Sequence, residues 1–303
     1  MTAALLTCLD PLRPRRPDPH FAAAATAARE MDAAVALLDH EALERGRPAE
    51  SVAAVPIGLG PLWYRGWMLT SDRYAALAAA LAERGATLLT DARQYGRAHE
   101  LPGWYEQFAA VTPASVWLPA EPGRTPPPTR LAALAAPFGP GPLVVKDYVK
   151  SRKHEWHEAC FVPDASDTER LAAVVGRFME LQEDSFCGGI VLRAFEDFTG
   201  DEVRVWWTDG DPFLTTAHPD APPTAEPSLP RPELDRLAPL VRALGCRFVT
   251  TDLALRSDGT WRVVEVGDGQ VSDLPAAADH RALLHALLGR GRAHPADAIE
   301  DSP

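Results

Sequence analysis

The 303-residue chain has four cysteines, Cys8, Cys160, Cys187 and Cys246, with no CxxC pair and no metal-ligand spacing. A disulfide framework and a cysteine zinc site are therefore not expected; reduced thiols in a cytoplasmic protein are. No apolar run approaches the ~18 residues of a membrane span. The N-terminus, Met1 to Asp10 followed by Pro-Leu-Arg-Pro-Arg-Arg-Pro, lacks the basic n-region and long apolar core of a signal peptide. Neither Gly-x-Ser-x-Gly nor Gly-x4-Gly-Lys-Ser is present, which removes two common enzyme classes. His154-Glu-Trp-His-Glu158 spaces its histidines at i and i+3, where the zinc-protease pattern needs i and i+4. Positive charge is also short: 30 basic against 42 acidic residues give a net charge of −12. That balance disfavours nucleic acid and anionic membrane as partners, and leaves room for one phosphate-bearing ligand in a local basic pocket.

Hydrophobic residues at 46% and charged residues at 24% are ordinary for a globular chain long enough for one large or several small domains. Phe21 to Arg45 and Ser71 to Gly85 read as helices, and the runs Ala53 to Ile57, Leu62 to Leu69 and Ala86 to Leu89 as strands, giving an N-terminal α/β unit. Pro119 to Pro128 reads as a connector before a short helix, Thr129 to Ala136. Pro142 to Asp147 reads as a strand that stays apolar until Lys146. Ser166-Asp-Thr-Glu169 reads as a capping box opening a helix to about Glu183. Gly189 to Phe195 and Glu202 to Thr208 read as strands with a turn at Thr199-Gly200-Asp201 between them. Helices are expected over Pro232 to Gly245 and Pro275 to Gly289, and 293–303 reads as a flexible tail.

The most informative stretch is Val249 to Gln270. Asp258-Gly259 between two β-rich runs is a strong hairpin signal, and a two-residue loop there sets Asp252 directly opposite Glu265. A symmetric four-residue loop from Ser257 to Thr260 gives the same register. Opposed like charges about 5 Å apart are destabilising unless a cation lies between them. Ala254 and Val263 share their face, which argues for a half-buried pair holding Mg2+ with its oxygen ligands; the alternative is a solvated face. Lys146 at a strand end is either a surface terminator or a phosphate ligand. Glu202, Arg204 and Trp206 share a strand face, with Arg193 on the preceding strand, and read as a cross-strand salt bridge or as an anion grip. Arg65, set among aromatics in Tyr-Arg-Gly-Trp, needs an anionic partner: a structural carboxylate or a substrate carboxylate.

Lys146, the run Glu196-Asp-Phe-Thr-Gly-Asp-Glu202, and Asp252 followed by Glu265 come in the order that resembles ATP-grasp enzymes. More narrowly, Tyr64-Arg-Gly-Trp-Met-Leu69, Lys146-Asp-Tyr-Val-Lys-Ser-Arg-Lys-His-Glu-Trp156 and Glu265-Val-Gly-Asp-Gly-Gln-Val-Ser272 resemble the bacterial ATP-grasp clade named for its two arginines and a lysine. The resemblance implies an α/β to α+β chain with the ATP-grasp fold: an N-terminal α/β pre-ATP-grasp domain over 1–118 and an ATP-grasp domain of two α+β subdomains over 119–292. It implies ATP and Mg2+ as cofactors and an ADP-forming ligase that joins a small-molecule or peptide carboxylate to an amine through an acyl phosphate. Alternatives are a non-catalytic ATP-binding module, or a phosphoryl-transferring or cyclising enzyme. In this pattern Lys146 and Lys153 contact phosphates, backbone groups of Glu196, Asp197 and Phe198 meet adenine, Glu202 holds the ribose, and Arg193 and Arg204 grip phosphate or substrate. Asp252 and Glu265 hold the metal. Gly267 stands where the family places an asparagine ligand; Asp268 or Gln270 could supply the oxygen instead, with Asp268 favoured because a carboxylate also restores charge. Arg65 is a candidate for substrate.

Overall fold

The computed structural model describes residues 3–219, 229–275 and 278–289. The expected tail at 293–303 lies outside the described residues. The described residues form a mixed α/β architecture with three sheets. The first contains β1 (Ala4–Asp10), β2 (Arg13–Pro17), β3 (Val35–Leu38), β4 (Gly60–Arg65) and β5 (Ala86–Leu88); β1 pairs in parallel with β3 and β4, β4 in parallel with β5, and β2 folds back antiparallel on β1. The second contains β6 (Ser115–Pro119), β7 (Leu143–Lys146), β8 (Phe161–Val162) and β9 (Gly189–Ala194), in the antiparallel order β6-β9-β7-β8. The third contains β10 (Phe198–Thr208), β11 (Asp211–Ala217), β12 (Phe248–Arg256) and β13 (Trp261–Asp268), in the order β11-β10-β12-β13.

These elements divide into two compact units assembled from separated segments. One draws on the described residues of 1–96, 204–250 and 267–303; the other comprises 97–203 and 251–266. The first unit buries Leu6, Cys8, Leu38, Leu62 and Tyr64 on one face of its sheet against Tyr74 and Leu77 of helix Ser71–Ala82. Leu5 and Trp63, one residue out of phase on the same strands, pack on the other face with Trp206, Phe248 and Leu284. This is the two-sided burial a parallel sheet requires. In the second unit Leu143, Val145, Ile190 and Leu192 pack on helix Thr168–Gln182 through Leu171, Val174, Val175 and Phe178. Each such side chain, fully buried, is worth about 1.5–3 kcal/mol of transfer free energy.

Several local expectations give way to tertiary context. Phe21 to Arg45 is not one helix: helix Ala22–Glu30 is capped by Met31 and followed by Asp32, whose φ of 57° is left-handed, and Val35–Leu38 joins the sheet as β3. Ala53 to Ile57 is not a strand. The helix at 168 is capped by Asp167, which accepts the Arg170 N–H at 2.9 Å, because Asp164 takes both the backbone N–H and the hydroxyl of Ser166. Residues 199–201 do not turn, since β10 runs through them; the connection from β9 is residues 195–197, and the two strands belong to different sheets. The last helix starts at His280, capped by Asp279, rather than at Pro275.

Candidate functional site

Strand alternation decides which side chains of the second sheet are free for chemistry. Leu143, Val145, Ile190 and Leu192 face the helix. Lys146 is therefore turned to the opposite face, and Arg193, paired with Val144 on β7 and with Ser115 on β6, shares it. Both cations are buried, at 5% and 7% exposure. Lys146 Nζ donates to the Val149 carbonyl at 3.3 Å. Burial drives its ammonium below the ordinary lysine range, with Glu265 opposing the shift and Arg193 adding to it. Arg193 donates from Nε to Ser115 Oγ at 3.1 Å and from Nη1 to the Val264 carbonyl at 2.6 Å, and its guanidinium lies 5.9 Å over the Trp104 ring. Its Nη2 is buried with no partner among the described residues. Burial lowers its pKa to about 10, against the pull of Glu265.

His99, the last residue of helix Ala92–His99, faces the same charges. Burial pushes it down to about 4, countered by Glu265 and reinforced by Lys150 and Lys146, so it is neutral at pH 7. Its unfolded-state value near 6.5 lies higher, so the unfolded chain binds the extra proton. Stability is full above pH 6.5 and falls as the pH drops toward 4, by roughly 3 kcal/mol for this one group. Urea unfolding of wild type and His99→Gln should therefore diverge between pH 7 and 4.5, with wild type losing more; parallel pH profiles would refute the assignment.

The loop after Lys146 is pinned from inside. Asp147, fully buried, accepts the Val149 and Lys150 amides through Oδ1 and Gln182 Nε2 and the Cys187 amide through Oδ2. Those backbone donors are thus engaged within the loop. Lys153 is exposed in a single 3-10 turn. Glu196 is held side-on by Arg262, with both bonds at 2.9 Å; the exposed Asp197 accepts the Ser257 amide through its carbonyl, and Phe198 opens β10, half-buried.

The acidic hairpin differs in detail from expectation. Arg256 donates its amide to the Thr260 carbonyl, and Gly259, at φ 87°, closes a tight turn onto Arg256, so the loop has three residues. At the far end Gly269 donates to the Phe248 carbonyl. Between these pairs β12 advances eight residues and β13 nine, so β13 carries one extra residue. Val263 turns its backbone toward Val111 and Thr112, as the tip register requires, whereas a Cβ on Gly267 would meet Thr250 Oγ1, as the far register requires. The irregularity therefore falls in the stretch that holds Glu265. Asp252, 3% exposed, has a carboxylate oxygen within 4.8 Å of one from Glu202, while Glu265 is grouped with Lys146, Arg193 and His99.

Asp268 is not brought to these acids. It alternates with Gly267, whose face carries Thr250 and hence Asp252, so it points from the other side of the strand. There it is fully buried. Oδ1 accepts the amide and Nε2 of Gln270, Oδ2 has no partner among the described residues, and burial raises its pKa to about 7. A folded-state value raised from about 3.8 contributes stability that is complete below pH 3.8 and lost as pH rises through 7, roughly 4 kcal/mol in all. Asp268→Asn should therefore raise the melting temperature more at pH 8 than at pH 5; an equal shift at both would show that this carboxyl is charged throughout.

Arg204, 6% exposed, donates from Nη1 to the Asp273 carbonyl at 3.0 Å, within the first unit. Arg65, 4% exposed, donates from Nη1 to the carbonyls of Gly269, Gln270 and Ser272, so it is held by backbone carbonyls rather than by a side-chain carboxylate. No sequence signal marked His99 or Ser115: a lone histidine and a lone serine carry none until the fold supplies neighbours.

Residues 137–287, about half the chain, match the family model described as the ATP-grasp domain, family 3 of the clade named for two arginines and a lysine. No curated protein matches in sequence. Among solved structures the fold is similar to the ATP-grasp ligase PsnB complexed with minimal precursor, Mg and ADP, at 13% identity and TM-score 0.56 over 94% of this chain and 97% of that one. It is also similar to the D-cycloserine synthetase DcsG, at 16% identity and TM-score 0.61 over 95% and 99%. The macrocyclase MdnC bound with precursor peptide MdnA from Microcystis aeruginosa MRC matches at 13% identity and TM-score 0.57 over 94% and 99%.

Proposed function

We propose that this chain, which belongs to the two-arginine-and-lysine clade of the ATP-grasp superfamily, is an ATP-dependent, ADP-forming ligase that joins a carboxylate to an amine. One observation carries the reading. Two buried cations, Lys146 and Arg193, share one sheet face with Glu265 as the carboxylate grouped with both, and Arg193 keeps a buried donor without a partner among the described residues. A phosphate group completes such a set. Glu202 and Asp252 bring carboxylate oxygens within 4.8 Å of each other, and hard oxygen donors suit magnesium.

In this reading Asp252 and Glu265 hold Mg2+, which when bound would neutralise phosphate charge. Lys146 and Arg193 hold the phosphates, with Lys153 at the exposed rim. Backbone groups of Glu196, Asp197 and Phe198 meet adenine, and Glu202 meets the ribose. A substrate carboxylate oxygen bonds to the γ-phosphorus as the bond to ADP breaks; an amine nitrogen then bonds to the acyl carbon, phosphate leaves, and the amine's proton passes to solvent. Lys146 and Arg193 oppose the charge that develops, so no side-chain nucleophile is needed. Arg204 is assigned to phosphate or substrate, and Arg65 to substrate. The domain reading fits the family match, since 137–287 falls inside 119–292. A ring-closing form, with carboxylate and amine on one molecule, has the support of two relatives named for cyclic products or macrocycles.

The test is a thermal shift with ATP, with and without Mg2+, followed by ADP release over a pool of amino acids and small carboxylates, with hydroxylamine to trap the acyl phosphate. A magnesium-dependent shift with hydroxamate formation is expected. No shift with ATP and Mg2+ would remove the site, and binding without ADP release would leave a nucleotide-binding module.

A further inference from the structure

The first unit contains a second cluster of buried cations that the phosphate chemistry does not use. Arg65 ends β4 at the bottom of it, 5.8 Å over the Trp206 ring. All three of its hydrogen bonds leave from Nη1, to the carbonyls of Gly269, Gln270 and Ser272. Its Nε is buried and has no partner among the described residues, and its Nη2 makes no hydrogen bond among them. The unused edge is the side-on fork of a guanidinium, two parallel donors at the spacing of two carboxylate oxygens. Thr7, the partner of Arg65 across the parallel ladder, adds a buried hydroxyl without a partner among the described residues, and His280 adds a buried Nδ1 in the same condition beside Arg65.

The charge balance selects the ligand. Arg65 and Arg204 are close enough to oppose one another. Against them stand Asp273, whose Oδ1 pairs with His20 Nε2 at 2.7 Å, and Asp268, whose carboxyl burial raises to about 7, so that it carries only part of a charge at neutral pH. The excess is positive but smaller than one full charge, which suits a monoanion and not a phosphate dianion. His20 and Asp273 are exposed, and Trp67, 37% exposed, lies 4.7 Å from the His20 ring, so the rim is open and partly aromatic.

We infer that the first unit binds the carboxylate of a substrate on the Nε–Nη2 edge of Arg65, with Trp67 and Asp273 at the rim. The inference rests on the ligase reading for its biological use, but the binding itself needs no nucleotide. A carboxylate here belongs either to a simple acid or to an amino acid, whose ammonium group would meet Asp273.

The full chain without nucleotide is titrated with acetate, propionate, L-alanine, L-phenylalanine and the corresponding amides, reading tryptophan fluorescence. Saturable binding of carboxylates and none of amides is expected. Arg65→Lys, which keeps the charge but not the fork, should weaken it about tenfold or more. Because Arg65 also ties down three carbonyls, the surface variant Asp273→Asn supplies a second arm. Removing that negative charge should tighten simple acids severalfold, and should weaken amino acids if their ammonium group sits there. Failure of every carboxylate probe to bind wild type, or identical binding by Asp273→Asn for all of them, overturns the inference. The magnesium-dependent ATP shift is read separately, so loss of the ligase reading would show there and not here.

Discussion

Replacing Lys146 by methionine is expected to lower ADP release about 100- to 1,000-fold while leaving the free protein as stable as wild type or more so. The activity loss follows from removing one pre-placed cation from the charge that develops on a transferring phosphoryl group, an effect of about 3–4 kcal/mol when a single such donor is deleted. Stability moves the other way. Lys146 is 5% exposed and donates one long hydrogen bond, 3.3 Å to Val149, with Arg193 beside it as a like charge. Burial already pushes its pKa down, which means the folded state disfavours its proton. A buried charge replaced by an apolar chain of similar length is often neutral or stabilising. Methionine keeps the stem and drops the charge. Chemical denaturation of the free protein and ADP release measured on the same preparation check both halves. Full turnover in the variant would end the phosphate assignment, and a large loss of stability would mean that Lys146 is structural.

What could be read from sequence was what depends on short spacings. The strand leading to Lys146, the helix ending in Gly245, whose φ of 70° is the left-handed stop a glycine permits, and the acidic hairpin are each defined within about fifteen residues. What could not be read depends on distant chain. Val35–Leu38 looks like the continuation of an alanine-rich helix until β1 offers it a parallel partner. The two units are built from interleaved segments, and that interleaving has no local mark. The extra residue on β13 has no signature in composition, yet it decides what Glu265 faces. Asp268 shows the same limit: its position just past Glu265 reads as a ligand, but it alternates with Gly267 on the strand and lies in the core of the first unit. His99 was invisible because its environment comes from β7, β13 and the loop after Lys146.

The two acids assigned to the metal should respond to neutralisation with opposite signs in the free protein. Asp252 has Glu202 within 4.8 Å, so Asp252→Asn removes a repulsion and is expected to raise the melting temperature of the free chain by a few degrees, on the order of 1 kcal/mol. Glu265 instead offsets the buried charges of Lys146 and Arg193. Glu265→Gln leaves those cations uncompensated, and the free chain is expected to lose about 3 kcal/mol, as when one partner of a buried pair is deleted. Both variants should lose the further stabilisation that Mg2+ and ATP give wild type, because each removes a carboxylate from the metal. The pattern is more demanding than loss of activity alone. A solvated acidic face predicts small changes of the same sign and no coupling to magnesium, whereas a structural ion pair predicts the Glu265 loss without the Asp252 gain. Only a site that is strained when empty and relieved when filled produces a gain at one acid, a loss at its neighbour, and the disappearance of the magnesium response at both.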